Sequence, residues 1–199
     1  MRRFTVLCFV LLMFGAFAAA QLEPVQIVPP NNELYLGYAY QYADTSGSNV
    51  VDHIQIADIK STNLNGFNFQ FSRYLKNKKL GLTVDVARGS NSHVDSTGIK
   101  DVRISYMAGP TYRIHQIGFV TFNVHALAGV DHEKFTVPMT STTLFPTDTA
   151  LALAGGVTVD GNLSKHLAVR LGQADLVYTE HYSSNQASFR YTGGVVVRF

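Results

Sequence analysis

The residues best suited to covalent chemistry lie together in the stretch Glu180-His-Tyr-Ser-Ser-Asn185. His181 and Ser183 are two positions apart, so on an extended backbone both side chains point to the same face. An imidazole beside a hydroxyl is the pair that hydrolases use, with the histidine taking the proton as the serine oxygen attacks. Such a histidine needs a third group to orient it. Glu180 adjoins it but points the other way on a strand, and no acidic residue follows between Asn185 and Phe199.

The other chemistry-bearing residues are dispersed. The histidines at 53, 93, 115, 125, 132, 166 and 181 make no metal-ligand spacing with one another. No metal or cofactor site is expected. Asp131-His132-Glu133 reads as a solvated charge cluster in a loop. The single cysteine, Cys8, lies in an apolar leader, which excludes both a disulfide scaffold and thiol catalysis. What remains is a set of polar residues inside otherwise apolar, alternating segments: Asp85, His125, Arg170, Asp175 and Arg190.

Those five residues must be positioned by strands. Period-two alternation recurs along the chain, and period 3.6 does not. Eight segments carry it: 33–42, 64–74, 79–87, 102–113, 117–130, 148–160, 166–179 and 187–199. Most are close to the 9–11 residues of a tilted strand that crosses a bilayer, and longer than the usual globular strand of about 5–6. The connections alternate between long (43–63, 88–101, 131–147, 180–186) and short (75–78, 114–116, 161–165). The predicted fold is all-β: an eight-stranded antiparallel up-and-down transmembrane β-barrel.

Alternation leaves open which way the apolar face points. A soluble ligand-binding barrel turns it inward; a membrane barrel turns it to lipid. The polar face here is small and mostly neutral, as with Gly66, Asn68, Gln70 and Ser72 opposite Phe67, Phe69 and Phe71. Six of the seven lysines (60, 76, 78, 100, 134, 165) fall in the expected loops or turns. Asp85, Arg170, Asp175 and Arg190 share the polar face once a bulge at Gly172 resets the seventh strand. A narrow lumen has little water, so these charges must pair. Arg170–Asp175 and Arg190–Asp85 are the expected pairs of a plug, with a narrow pore as the alternative. Tyr38, Tyr40 and Tyr42 step along the outward face of the first strand, as an aromatic girdle would.

Residues 1–20 carry Arg2 and Arg3, then an unbroken apolar run, then Ala18-Ala19-Ala20. This is the pattern of a secretory signal peptide. Residues 21–32, with Pro24, Pro29 and Pro30, read as a periplasmic lead-in, and 33–199 as the barrel. Without Arg2 and Arg3, fourteen basic residues balance fourteen acidic ones. No basic excess points to nucleic acid.

The last residues carry the most specific pattern. Thr192-x-Gly194-x-x-Val197-x-Phe199 resembles the polar-x-glycine-x-x-apolar-x-aromatic signal of bacterial outer-membrane barrels. With "ELYLGYAYQY" and "LSKHLAVRLGQADLVYT", it makes residues 33–199 resemble the OmpA-like transmembrane-domain family. The resemblance implies export, location in the cell outer membrane, recognition of Thr192, Gly194, Val197 and Phe199 by the barrel assembly machinery, and closure of the last strand on the first. Its immediate partners would be outer-membrane lipid and lipopolysaccharide, and the barrel would be a monomer. The expected role is structural or surface-interacting, without catalysis. The piece His181-x-Ser183 also resembles part of the lipid A deacylases, which are eight-stranded barrels too. That second resemblance implies His181 as base and Ser183 as nucleophile, although the asparagine comes one residue later here.

Overall fold

Eight long strands carry the alternation that the sequence predicts. The computed structural model describes residues 29–44, 50–51, 54–55, 61–94, 99–137, 142–143, 147–181 and 184–199. The leader 1–20, the lead-in up to residue 28, and Ser183 lie outside the described residues. The strands are β1 (Asn32–Asp44), β2 (Ser61–Tyr74), β3 (Leu80–Val94), β4 (Ile99–Ile117), β5 (Val120–Val137), β6 (Asp148–Asn162), β7 (Leu167–His181) and β8 (Ser184–Arg198). Each pairs antiparallel with the next. β8 returns to β1, from Glu33 opposite Arg198 to Tyr42 opposite Phe189, and closes the barrel. Closure satisfies the backbone groups that an edge strand would leave unpaired.

The polarity is inverted relative to a soluble protein. Leu36, Leu82, Leu151 and Leu176 face outward at 60, 58, 65 and 70 % exposure, while Asp85, Asp160 and Asp175 are fully buried inside. The outward residues of one strand meet the outward residues of the next in register, as in Leu36–Phe69 and Phe71–Val84. The result is a continuous apolar belt. Tyr38, Tyr42, Tyr106, Tyr112, Tyr178 and Phe189 are exposed on this outer surface.

Several boundaries differ from the sequence reading. Pairing of β3 with β4 runs through Asn91–Asp101, and β7 pairs with β8 out to His181–Ser184. Segments expected as loops, 88–101 and 180–186, are thus largely strand. Beyond the hydrocarbon both faces of a strand are polar, so the hydrophobic alternation fades while the hydrogen-bond ladder continues. Lys100 and Lys134, expected in loops, lie in β4 and β5.

The turn expected at 114–116 falls instead at Gly118-Phe119. Gly118 takes φ 56°, a left-handed conformation that glycine adopts without a Cβ clash. Ile114 is the extra residue of a register irregularity between Arg113 and His115, and His115 and Gln116 continue the pairing of β4 with β5 opposite Phe122 and Thr121. The bulge in β7 falls at the expected place, with the register shifting between Arg170 and Gly172–Gln173. Leu171 points outward there, while Arg170 and Gln173 both stay inside.

Candidate functional site

The barrel interior is arranged in layers. At the end that holds Asn32 and Arg198, the Arg198 Nε donates to Glu33 Oε1 at 2.7 Å, and Arg113 Nη2 donates to the same oxygen at 2.9 Å. Arg198 also donates to Asn162 Oδ1 at 2.5 Å. Two tyrosines floor this layer. The Arg113 guanidinium lies 4.0 Å above the Tyr74 ring, and that of Arg170 lies 4.2 Å above Tyr35. Cation–π contact is a favourable way to hold a guanidinium away from water.

The next layer contains the five residues singled out from the sequence. Arg190 bridges two acids, with Nη1 3.0 Å from Asp85 Oδ1 and Nη2 2.8 Å from Asp175 Oδ2. His125 Nε2 lies 2.9 Å from Asp175 Oδ1. Asn68 and Gln70 donate to Asp85 at 2.7 and 2.6 Å, and Gln173 donates to Asp175 at 2.8 Å. Asp85, His125, Asp175 and Arg190 therefore form one cluster.

Arg170 does not pair with Asp175. It sits directly opposite Asp160 in the β6–β7 register and donates to that carboxylate through Nε at 2.8 Å. The bulge at 171–172 separates Arg170 from Asp175 by one extra residue and turns its guanidinium to the neighbouring strand. Arg170 still reaches the cluster by donating to Gln70 Oε1 and Gln173 Oε1, at 2.6 and 2.7 Å. Sequence reasoning missed Asp160, Glu33, Arg113 and Arg198 because they lie near strand ends. The signal was present in the last case, since Arg198 shares the face of Arg190 and Gly194.

Above this cluster β4 to β7 become apolar inside: Met107, Leu127, Ala152, Ala154 and Val177 pack together. A second charged layer follows at the outer end. Arg103 pairs with Glu133 and lies 3.8 Å from Asp101. His181 is fully buried, with Nε2 3.0 Å from Asp131 and Nδ1 3.1 Å from Asp148. The segment Asp131-His132-Glu133 is thus no solvated loop cluster. It is part of β5, and Asp131 and Glu133 are buried in the lumen. Both ring nitrogens of His181 meet carboxylates inside the barrel, an arrangement that ties three strands together. Among the described residues no group of histidines and acids could hold a metal ion.

The residues of the closing pattern divide between the two faces. Thr192 is buried and its hydroxyl accepts from Tyr35 Oη at 2.9 Å. Gly194 stands opposite Gly37 across the β8–β1 seam. A Cβ on Gly194 would overlap the Gly37 backbone, and one on Gly37 would overlap the Tyr35 hydroxyl. Gly37 thus leaves room for the Tyr35 side chain, and Gly194 lets the β8 and β1 backbones approach closely. Val197 and Phe199 face outward. The backbone of Phe199 exchanges hydrogen bonds with Asn32 at 3.0 and 3.1 Å.

A closed barrel with an apolar exterior and a buried, paired polar interior defines a transmembrane β-barrel. The family model for the outer membrane protein beta-barrel domain matches residues 8–199, and the chain belongs to that family. Comparison with curated protein sequences gives no match. Similar solved structures include Neisserial surface protein A, with TM-score 0.64 and 15 % identity over 84 % of this chain and 97 % of that one. The attachment invasion locus protein Ail of Yersinia pestis has TM-score 0.56 and 19 % identity over 85 % and 99 %. OprG of Pseudomonas aeruginosa has TM-score 0.53 and 12 % identity over 86 % and 96 %. These likenesses concern the fold.

Proposed function

We propose that the protein is a sealed, non-catalytic barrel of the cell outer membrane that presents its outer hairpins and loops to the surroundings. Export by the 1–20 signal peptide and insertion by the barrel assembly machinery, reading Thr192, Gly194, Val197 and Phe199, complete this reading. Outer-membrane lipid and lipopolysaccharide are its immediate partners, and it acts as a monomer.

One observation carries the proposal. Asp85, Asp175, Gln173 and Arg190 are at most 1 % exposed, so these side chains fill the middle of the lumen and close it to solvent. The apolar cluster around Leu127 lies directly above. This favours a plugged scaffold over a narrow pore. The inward, doubly paired His181 favours a structural role over that of a base for Ser183.

The test is reconstitution in planar bilayers combined with cell fractionation. The expected result is outer-membrane partition, heat-modifiable migration on gels and no stepwise conductance. Steady unitary conductance would overturn the sealed-barrel reading. Fatty-acid release from lipid A that is lost on Ser183→Ala would overturn the non-catalytic one.

A further inference from the structure

The period-two alternation sorts charge by sign at the outer ends of β3, β4 and β5. Among the described residues each acid there, Asp101, Asp131 and Glu133, is buried in the lumen. The bases Arg88, Lys100 and Lys134 occupy the opposite, outward positions, with His132 between them. Arg88 and Lys134 are exposed and Lys100 is partly so. Among the described residues none of the three has an ion-pair partner. This contrasts with Arg103, Arg113, Arg170, Arg190 and Arg198, all of which are paired inside.

The rows are set by register. Arg88 stands opposite Ile104, which stands opposite His132; one row further out, Val102 stands opposite Lys134. Only β4 lies between β3 and β5, so two strand spacings, about 10 Å, separate them. Long Arg and Lys side chains span that gap from both sides. Directly below lies the row Tyr106–Val130–Leu151, all exposed. The Tyr106 ring meets His132 edge to face, with centroids 6.0 Å apart. The sector is therefore apolar and aromatic below, cationic above and, among the described residues, free of outward carboxylate. On the other side of the barrel the outward residue at the corresponding end of β7 is the acid Glu180.

We propose that this β3–β5 sector docks a phosphorylated glycolipid of the outer leaflet. Its acyl chains lie on Tyr106, Val130 and Leu151, and its phosphates lie among Arg88, Lys100 and Lys134. The inference rests on the outer-membrane reading above and deepens it by assigning the sector and the residues that would hold the phosphates. Lysine and arginine favour phosphate through charge and hydrogen bonding together. A neutral headgroup would leave three cations uncompensated at the membrane surface.

The test uses the folded full-length protein in a neutral detergent. Binding of diphosphorylated lipid A, its dephosphorylated form and phosphatidylcholine is read by native mass spectrometry. Heat-modifiable migration is checked for every variant. Each cation near an anionic surface contributes roughly fivefold in affinity, so R88Q/K100Q/K134Q should weaken lipid A binding by about a hundredfold. R73Q/K165Q, which removes exposed cations near the opposite rim, should leave it unchanged. The wild type should prefer diphosphorylated lipid A, and added salt should reduce that preference. Should the triple variant fail to fold, the single variants R88Q and K134Q should each show the roughly fivefold loss. Equal binding by the folded triple variant, or equal loss in R73Q/K165Q, would overturn the assignment. A wild-type protein without heat-modifiable migration would instead overturn the underlying barrel reading.

Discussion

Glu33, the second residue of β1, meets Arg198, the last residue of β8, at 2.7 Å across the seam that closes the barrel. The two are directly opposite in the register. The same carboxylate also accepts from Arg113 on β4 at 2.9 Å. One buried acid thus joins the first, fourth and last strands.

Glu33→Gln should be strongly destabilising, because it leaves Arg113 and Arg198 without their carboxylate. Breaking a buried pair by removing one partner costs about 3–5 kcal/mol. The expected outcome is a lower midpoint of the heat-induced gel shift. A double cycle with Arg198→Met should show coupling, and simple additivity of the two losses would count against the pair.

The mid-lumen cluster should rank its cations. Arg190 serves both Asp85 and Asp175, whereas Arg170 serves Asp160, which also has Arg198 within 3.9 Å. Arg190→Leu should therefore lower urea resistance in liposomes more than Arg170→Leu, with each loss in the range of about 3–5 kcal/mol. The reverse order would show that the Arg190 bridge is not the stronger tie.

Gly194→Val should impair closure of the barrel. Its Cβ would overlap the backbone of Leu36 and Gly37 across the seam. Overpacking of this kind costs about 1–3 kcal/mol, and the loss should appear as slower folding into liposomes. Combining it with Tyr35→Phe should give little rescue, because the overlap is with the β1 backbone and not with the Tyr35 side chain.

Phe199→Ala should separate assembly from stability. The backbone of Phe199 pairs with Asn32, and substitution leaves those hydrogen bonds possible. The folded barrel should then keep its gel-shift midpoint within a few degrees, since an exposed single-residue change typically stays within about 0.5 kcal/mol. Accumulation in the outer membrane of cells should fall. Unchanged accumulation would remove Phe199 from the assembly signal.

Much of the architecture is a local property of the chain. Side chains two apart share a face, so the outward stripe Phe67, Phe69, Phe71 and the inward Asp85, His125, Asp175 and Arg190 follow from position alone. The bulge at Gly172 was legible for the same reason: without it, Arg170 and Asp175 could not share a face. Membrane polarity was legible in the small, neutral character of the opposite face.

Pairing between distant strands is another matter, because it depends on register, shear and closure. Arg170 meets Asp160 rather than Asp175 because the two stand opposite each other between β6 and β7. Asp131, Glu133 and His181 lie inside the barrel because the hydrogen-bond ladder continues past the hydrocarbon, where hydrophobic alternation no longer reports it. The outward cations Arg88, Lys100 and Lys134 become one surface only when β3, β4 and β5 are laid side by side. The sequence by itself determined which face each side chain takes; the tertiary structure decided which partner it meets there.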